Sequence, residues 1–222
     1  MVRLDVFSDP VCPWCYIGKA HLDRALEARP DHPFAVEWHP FQLNPTMPRE
    51  GMERGEYLTQ KFGGAERAAQ IYARIEAAAR EIGLDIDFAR IARTPNTLDA
   101  HRLIHWAGIE GRQTPVVSAL FRAYFREGRD IGNPVELAKI AGECGMDALA
   151  VALALRGEND RDDLAARDAD AQRKGVTAVP TYLIDRQYVV QGAQPPELWM
   201  QVIDEISGQL AVADGVAPPA SA

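Results

Sequence analysis

Apolar and polar residues alternate along Arg3-Leu4-Asp5-Val6-Phe7, the period of a short strand, and Ser8 to Val11 follow as a loop. From Cys12 the period becomes helical. Cys15, Gly18, Leu22, Ala25 and Leu26 fall on one face, until Pro30 and Pro33 break the run. Phe34-Ala35-Val36-Glu37-Trp38 reads as a second strand, and Phe41 to Gly55, with Pro45, Pro48 and Gly51, as a long connection. From about Glu56 to Lys174 the stripes are helical almost throughout. They comprise Ile71, Ile75, Ala78 and Ile82; Ala100, Leu103, Ile104 and Ala107; Leu120, Phe121, Tyr124 and Phe125; and Leu137, Ile140, Ala141 and Cys144. After Gly175 the strand signal returns as Thr181-Tyr182-Leu183-Ile184, a turn at Asp185-Arg186, and Tyr188-Val189-Val190, which together predict a hairpin. Pro195 and Pro196 open a last helix with an apolar face of Leu198, Val202, Ile203 and Ile206 and Trp199 at its edge. Ala211 to Ala222 are small and poorly patterned, as in a loose tail.

The order strand, helix, strand, many helices, hairpin, helix predicts an α/β protein, and 222 residues suit one domain carrying an insertion. A formal net charge of -8 argues against nucleic acid as a partner, since phosphate contacts need clustered Lys and Arg. No window approaches the roughly 20 apolar residues of a membrane span, and the first residues lack a basic segment followed by an apolar core. The expected location is therefore the cytoplasm, away from membranes. The helical surfaces leave room for a homodimer, but no heptad run specifies one.

The chemistry concentrates in Val11-Cys12-Pro13-Trp14-Cys15-Tyr16. A helix starting here holds Cys12 at its positive end, where N–H groups favour a thiolate, with Pro13 harmless at the first helical position. Cys15, one turn on, lies on the buried side and can close a disulfide, while Cys12 is expected at the exposed tip. A Cys-x-x-Cys also occurs as half of a zinc site or as an inert bridge. Zinc wants four ligands, however, and the remaining cysteine, Cys144, is solitary on an apolar helix face; so small a loop also constrains the unfolded chain little. In a reducing compartment a redox-active pair is the favoured reading, and no metal is expected.

Cys12-Pro13-Trp14-Cys15 after a strand, with Gly175-Val176-Thr177-Ala178-Val179-Pro180-Thr181 before another, resembles the thioredoxin superfamily in its DsbA-like branch. Asp9 to Gly18, Asn96-Thr97-Leu98-Asp99-Ala100-His101-Arg102-Leu103 and Gly192-Ala193-Gln194-Pro195-Pro196 are similar to the cytoplasmic FrnE-like subgroup of disulfide oxidoreductases. The resemblance implies a thioredoxin-like domain from residues 1–44 and 175–210, an all-helical insertion over 45–174 and a flexible tail over 211–222. It further implies a cis Pro180 facing the cysteines, a Val179 backbone that pairs with substrate, and a substrate cleft bordered by the segment from Asn96 to His101. Some FrnE-like proteins carry a second pair of cysteines, which this chain lacks. Kappa-class glutathione transferases and hydroxychromene-carboxylate isomerases share the fold but typically have serine where Cys12 stands.

The leading expectation is thus a thiol–disulfide oxidoreductase or isomerase in which Cys12 attacks and Cys15 resolves, with Pro13 and Trp14 tuning the couple. Its partners would be disulfide- or thiol-containing proteins or small molecules. No cofactor is expected beyond the disulfide itself, with glutathione as a conceivable co-substrate. The competing readings are a glutathione-dependent isomerase or transferase and a non-enzymatic chaperone-like binder. Three further residues are read locally: Asp9 as the former of an Asp-Pro turn, Asn96 as a helix N-cap with Asp99 at N3, and His101 with His105 as a weak metal pair.

Overall fold

The strand Val2–Ser8 (β1) lies inside a four-stranded mixed sheet of order β2-β1-β5-β6 in the computed structural model, which describes residues 1–213. β2 (Phe34–Pro40) runs parallel to it, pairing Val2 with Phe34 and Ser8 with Pro40, so the chain must cross between them; the helix α1 (Pro13–Ala28) makes that crossing. On the other side β5 (Thr181–Ile184) pairs antiparallel, with Leu4 opposite Ile184, and β6 (Tyr188–Gln191) completes the hairpin. Asp185 and Arg186 both take positive φ, 49° and 58°, the geometry that matches a tight turn to the twist of the strands.

Alternation sorts the two faces of the sheet. Val6 and its partner Tyr182 share a face with Leu4, and all three are fully buried. The helix α9 (Pro196–Ala213) rests there, with Trp199 4.6 Å from the Tyr182 ring. Trp199 is therefore the centre of that helix's apolar face, not its edge. Gly18 of α1 lets the hairpin approach, because a Cβ at that position would stand 2.6 Å from the Tyr182 hydroxyl and 3.0 Å from Pro180. The outer edge of β2 is closed by a side chain: Gln113 accepts from the Trp38 N–H at 2.8 Å and donates to its carbonyl at 3.0 Å.

Residues 45–174 contain α2 (Arg54–Phe62), α3 (Ala65–Glu81), α4 (Leu98–Ile109), α5 (Gln113–Phe125), α6 (Pro134–Glu143), α7 (Ala148–Arg156) and α8 (Arg161–Arg173). The expectation of helices almost throughout holds, with one addition: β3 (Met52–Glu53) pairs antiparallel with β4 (Arg93–Thr94), a ladder too short to show alternation in sequence. These helices and the sheet share one core, running from Leu4 and Leu22 through Phe121 and Phe125 to Leu137 and Ile140. Tyr16 of α1 stacks at 5.2 Å on Phe121 and 5.6 Å on Phe125 of α5, joining the two parts.

Three readings of single positions need correction. Ile71 is exposed and Ala79 is buried, so the face of α3 is rotated from the expected stripe. Cys144 follows the last turn of α6 and is only half-buried, where a core position was expected. Residues 211–213 of the expected tail finish α9, and the rest of the tail lies outside the described residues.

Candidate active site

Cys12 is the residue just before α1, with extended backbone (φ -87°, ψ 113°), and Pro13 opens the helix. The Cys12 carbonyl accepts from the N–H groups of Cys15 and Tyr16 at 3.1 and 3.2 Å, which sets the two cysteines one turn apart. No side chain caps the helix start and no acid stands in its first turn, leaving its N–H groups without a competing anion. The Cys12 thiol donates to the carbonyl of Val179 at 3.7 Å, and the Val179–Pro180 peptide is cis. The structure thus brings together Cys12, Cys15, Val179 and Pro180, with Pro13 and Trp14 beside them.

One expectation about them fails. Cys12 is 4% exposed instead of standing free at a helix tip, because Val179, far along the chain, closes over it. Cys15 is buried as expected, and both sulfurs are free thiols. Burial pushes the Cys15 thiol well above its ordinary range, and the neighbouring Cys12 sulfur adds to this. The Ser8 hydroxyl and the Asp9 N–H act in the opposite sense.

Asp9 does more than shape a turn. Its carboxylate accepts from Val11 N–H at 3.3 Å, as an Asp-Pro turn requires, but also from Leu43 N–H at 2.7 Å. Burial raises its pKa to about 7 against the pull of these bonds and of the Thr97 hydroxyl, with the Asp168 charge adding to the rise. Asp168 in turn accepts from Gln42 N–H at 3.1 Å. Two buried carboxylates therefore hold consecutive amides of the loop that carries Leu43.

The thiol of Cys12 opens on a cleft of about 330 Å³. Pro13, Trp14 and Val179 line it on the sulfur side, with Trp14 42% exposed; Leu43 flanks them, and Arg54, Tyr57, Lys61, Tyr72, Phe88, Thr94 and Tyr124 form the opposite wall. Asn96 and His101 do not line this cleft. The Asn96 amide oxygen accepts from Leu98 N–H at 2.9 Å and its NH2 donates to the Met47 carbonyl at 2.7 Å, so it caps α4, one position earlier than a regular N-cap. His101 is buried with Nε2 3.2 Å from the Phe41 carbonyl, and burial lowers its pKa to about 4. It is neutral and structural, and it belongs to no group of three or more such ligands: among the described residues only Asp5, Glu37 and His39 form one. Arg3 already bridges Asp5 and Glu37, at 2.6 and 3.1 Å.

The rest of the segment from Asn96 to Leu103 is equally architectural. Arg102, with no exposed surface, donates to Asp99 at 2.8 Å and to the carbonyls of Asn159, Ala154 and Gly157, fastening α4 to the α7–α8 connection. The sequence does not show the cleft wall, because Arg54 lies in a stretch that reads as a connection, Tyr57, Lys61, Tyr72, Phe88 and Thr94 fall outside every apolar stripe, and Ile71, Ile75, Tyr124 and Phe125 read as packing residues.

Residues 3–204 match the DSBA-like thioredoxin domain family. A probable DsbA oxidoreductase from Streptomyces coelicolor is 31% identical, with a TM-score of 0.80 covering 100% of this chain and 94% of that one. A 2-hydroxychromene-2-carboxylate isomerase is 15% identical, with a TM-score of 0.72 over 95% and 98% of the two chains. The cytosolic disulfide reductase DsbM from Pseudomonas aeruginosa is 20% identical, with a TM-score of 0.66 over 95% and 99%. No helix among the described residues is long and apolar enough to cross a membrane.

Proposed function

The chain belongs to the DSBA-like thioredoxin domain family, with the DsbA-like thioredoxin fold, and on that premise we propose that it is a cytoplasmic thiol–disulfide oxidoreductase working through Cys12 and Cys15. The observation that carries this reading is the pair of free thiols at the start of α1, one of them directed at the Val179 carbonyl. The motifs Asp9 to Gly18, Asn96 to Leu103 and Gly192 to Pro196 support a FrnE-like subgroup.

The Cys12 thiolate attacks one sulfur of a substrate disulfide, forming a mixed disulfide as the substrate S–S bond breaks and the leaving thiolate takes up a proton. The Cys12 sulfur can then no longer carry charge, which removes its opposition to ionising Cys15; burial still opposes that charge, and the Ser8 hydroxyl and Asp9 N–H act against the effect of burial. Cys15 attacks Cys12, the mixed disulfide breaks and the second thiol departs. The protein has lost two hydrogens to a disulfide, and the substrate has become two thiols. Run in reverse, the same steps oxidise a dithiol. The Val179 backbone beside the sulfur is the group for an extended substrate segment to pair with, and Pro13 and Trp14 between the cysteines tune the balance of the two forms.

The test is turnover of a model peptide disulfide with a thiol reductant. Cys12→Ser should abolish turnover, and Cys15→Ser should accumulate a mixed disulfide visible by intact mass; unchanged turnover in Cys12→Ser refutes the reading. A glutathione-dependent isomerase activity has only fold likeness in its support, and Cys12 stands where that chemistry typically has serine. A chaperone-like binder would keep full holding activity with both cysteines replaced.

A further inference from the structure

Arg54, the first residue of α2, is 8% exposed and lines the cleft above Cys12. Its guanidinium lies 5.0 Å from the Tyr72 ring centroid and 5.5 Å from that of Phe88, and it forms no ion pair among the described residues. The other buried arginine, Arg102, shows what such a group ordinarily demands: a carboxylate at 2.8 Å and three carbonyls. The aromatic faces and the Tyr72 hydroxyl offset part of the cost of burying a cation, but no carboxylate or carbonyl takes the donors of its planar fork.

The charge around it has one sign. Lys61 lines the same cleft, bonded to the Asn44 side chain at 3.1 Å, and no Asp or Glu is among the lining residues, although the chain as a whole carries a net charge of -8. A second orphan points the same way. The Thr94 hydroxyl, beside Tyr124 and 2% exposed, lacks a hydrogen-bond partner of ordinary geometry. A buried unpaired cation and an unsatisfied hydroxyl in an aromatic-walled space of about 330 Å³ describe a site completed by a carboxylate on a flat apolar body. That volume suits a small molecule and not a folded polypeptide.

We propose that the preferred disulfides are small aromatic or apolar compounds bearing a carboxylate, and that Arg54 is the residue that selects for the charge. The proposal rests on the thiol–disulfide exchange reading above. The Cys12 thiolate opens the S–S bond, Arg54 receives the carboxylate of the half that stays bound as the mixed disulfide, and Cys15 releases it. The products are the protein disulfide and two aromatic thiols, so two electrons pass from protein to substrate and no further reductant is needed.

The reduced protein, in a Cys144→Ser background that removes the third thiol, is mixed at neutral pH and fixed ionic strength with dithiobis(nitrobenzoate), which carries a carboxylate on each ring, or with neutral dithiodipyridine. Thiol release is followed by absorbance. Arg54→Gln should slow the charged disulfide about tenfold or more, the worth of a charge-assisted pair, and the neutral one less than about twofold. Arg54→Lys should restore part of the loss. In the unsubstituted cleft, free nitrobenzoate should slow the reaction with dithiodipyridine and nitrobenzene should not, which keeps the test valid if either Arg54 variant folds poorly. Equal slowing of both disulfides, no slowing of the charged one, or indifference to nitrobenzoate overturns the role of Arg54 while leaving the exchange reading intact. If Cys12→Ser reacts with both disulfides as fast as the parent, the exchange reading itself fails and the proposal falls with it.

Discussion

Replacing Asp9 with Asn isolates how much the buried carboxyl beside the cysteines costs the fold. In the native protein its pKa is raised from 3.8 to about 7, chiefly by burial. Between those values the unfolded chain gives up a proton that the folded chain keeps. Stability therefore falls as pH rises, beginning near the unfolded pKa and ending near the folded one. At about 1.36 kcal/mol per pH unit the whole shift amounts to roughly 4 kcal/mol, a large part of the stability of a typical domain. Asn at this position still offers an oxygen to Leu43 N–H and cannot ionise. Urea unfolding of the two proteins under reductant, from about pH 4 to about pH 8, should show the difference between them turning against the wild type by about 4 kcal/mol, half of it by mid-window. Titrating groups that do not interact with Asp9 cancel in that difference. A pH-independent difference would mean that the carboxyl titrates alike in both states. A change of opposite sign would show that its bonds to Leu43, Val11 and Thr97 outweigh its burial, and either result refutes the reasoning.

Two other substitutions probe the frame around the site. Arg102→Met should cost about 3–5 kcal/mol, since it leaves three buried carbonyls without their donor and Asp99 with Arg161 alone, and a denaturation midpoint unchanged from wild type would contradict that. Gly18→Ala should cost about 1–3 kcal/mol and slow thiol exchange, because its methyl group would push Tyr182 and Pro180 away from α1. Unaltered stability with unaltered exchange would show that the hairpin yields without consequence.

Where the signal was local, the sequence could be read correctly. Alternation in Arg3 to Phe7, the helical face carrying Cys15, and the Asp185-Arg186 turn each depend on residues within a few positions, and each is found in the structure. Trp199, Ile71 and Cys144 were misassigned because a helix face drawn from spacing alone fixes its centre only to within a residue or so. The exposure of Cys12 was wrong for another reason: the atom that covers it belongs to Val179, and only tertiary folding brings the two together. Arg54 escaped notice because it sits at the end of a stretch that reads as a connection. What makes it informative is the absence of a partner, and spacing cannot show that. Asn96 and His101 show the opposite risk, since a shared motif marked them for the cleft while their hydrogen bonds serve the scaffold.

The pairing of β1 with β5, Leu4 against Ile184, also has a bearing on biosynthesis. At about 5–20 residues per second, a ribosome that has just delivered the first cysteine needs on the order of ten seconds or more to deliver the strand that flanks it. Throughout that interval the nascent sheet has an unzipped border, and the two sulfurs meet the surrounding medium without the polypeptide that later shields them. A product truncated after α8 would remain in that state for good, combining a sticky strand border with an unguarded dithiol.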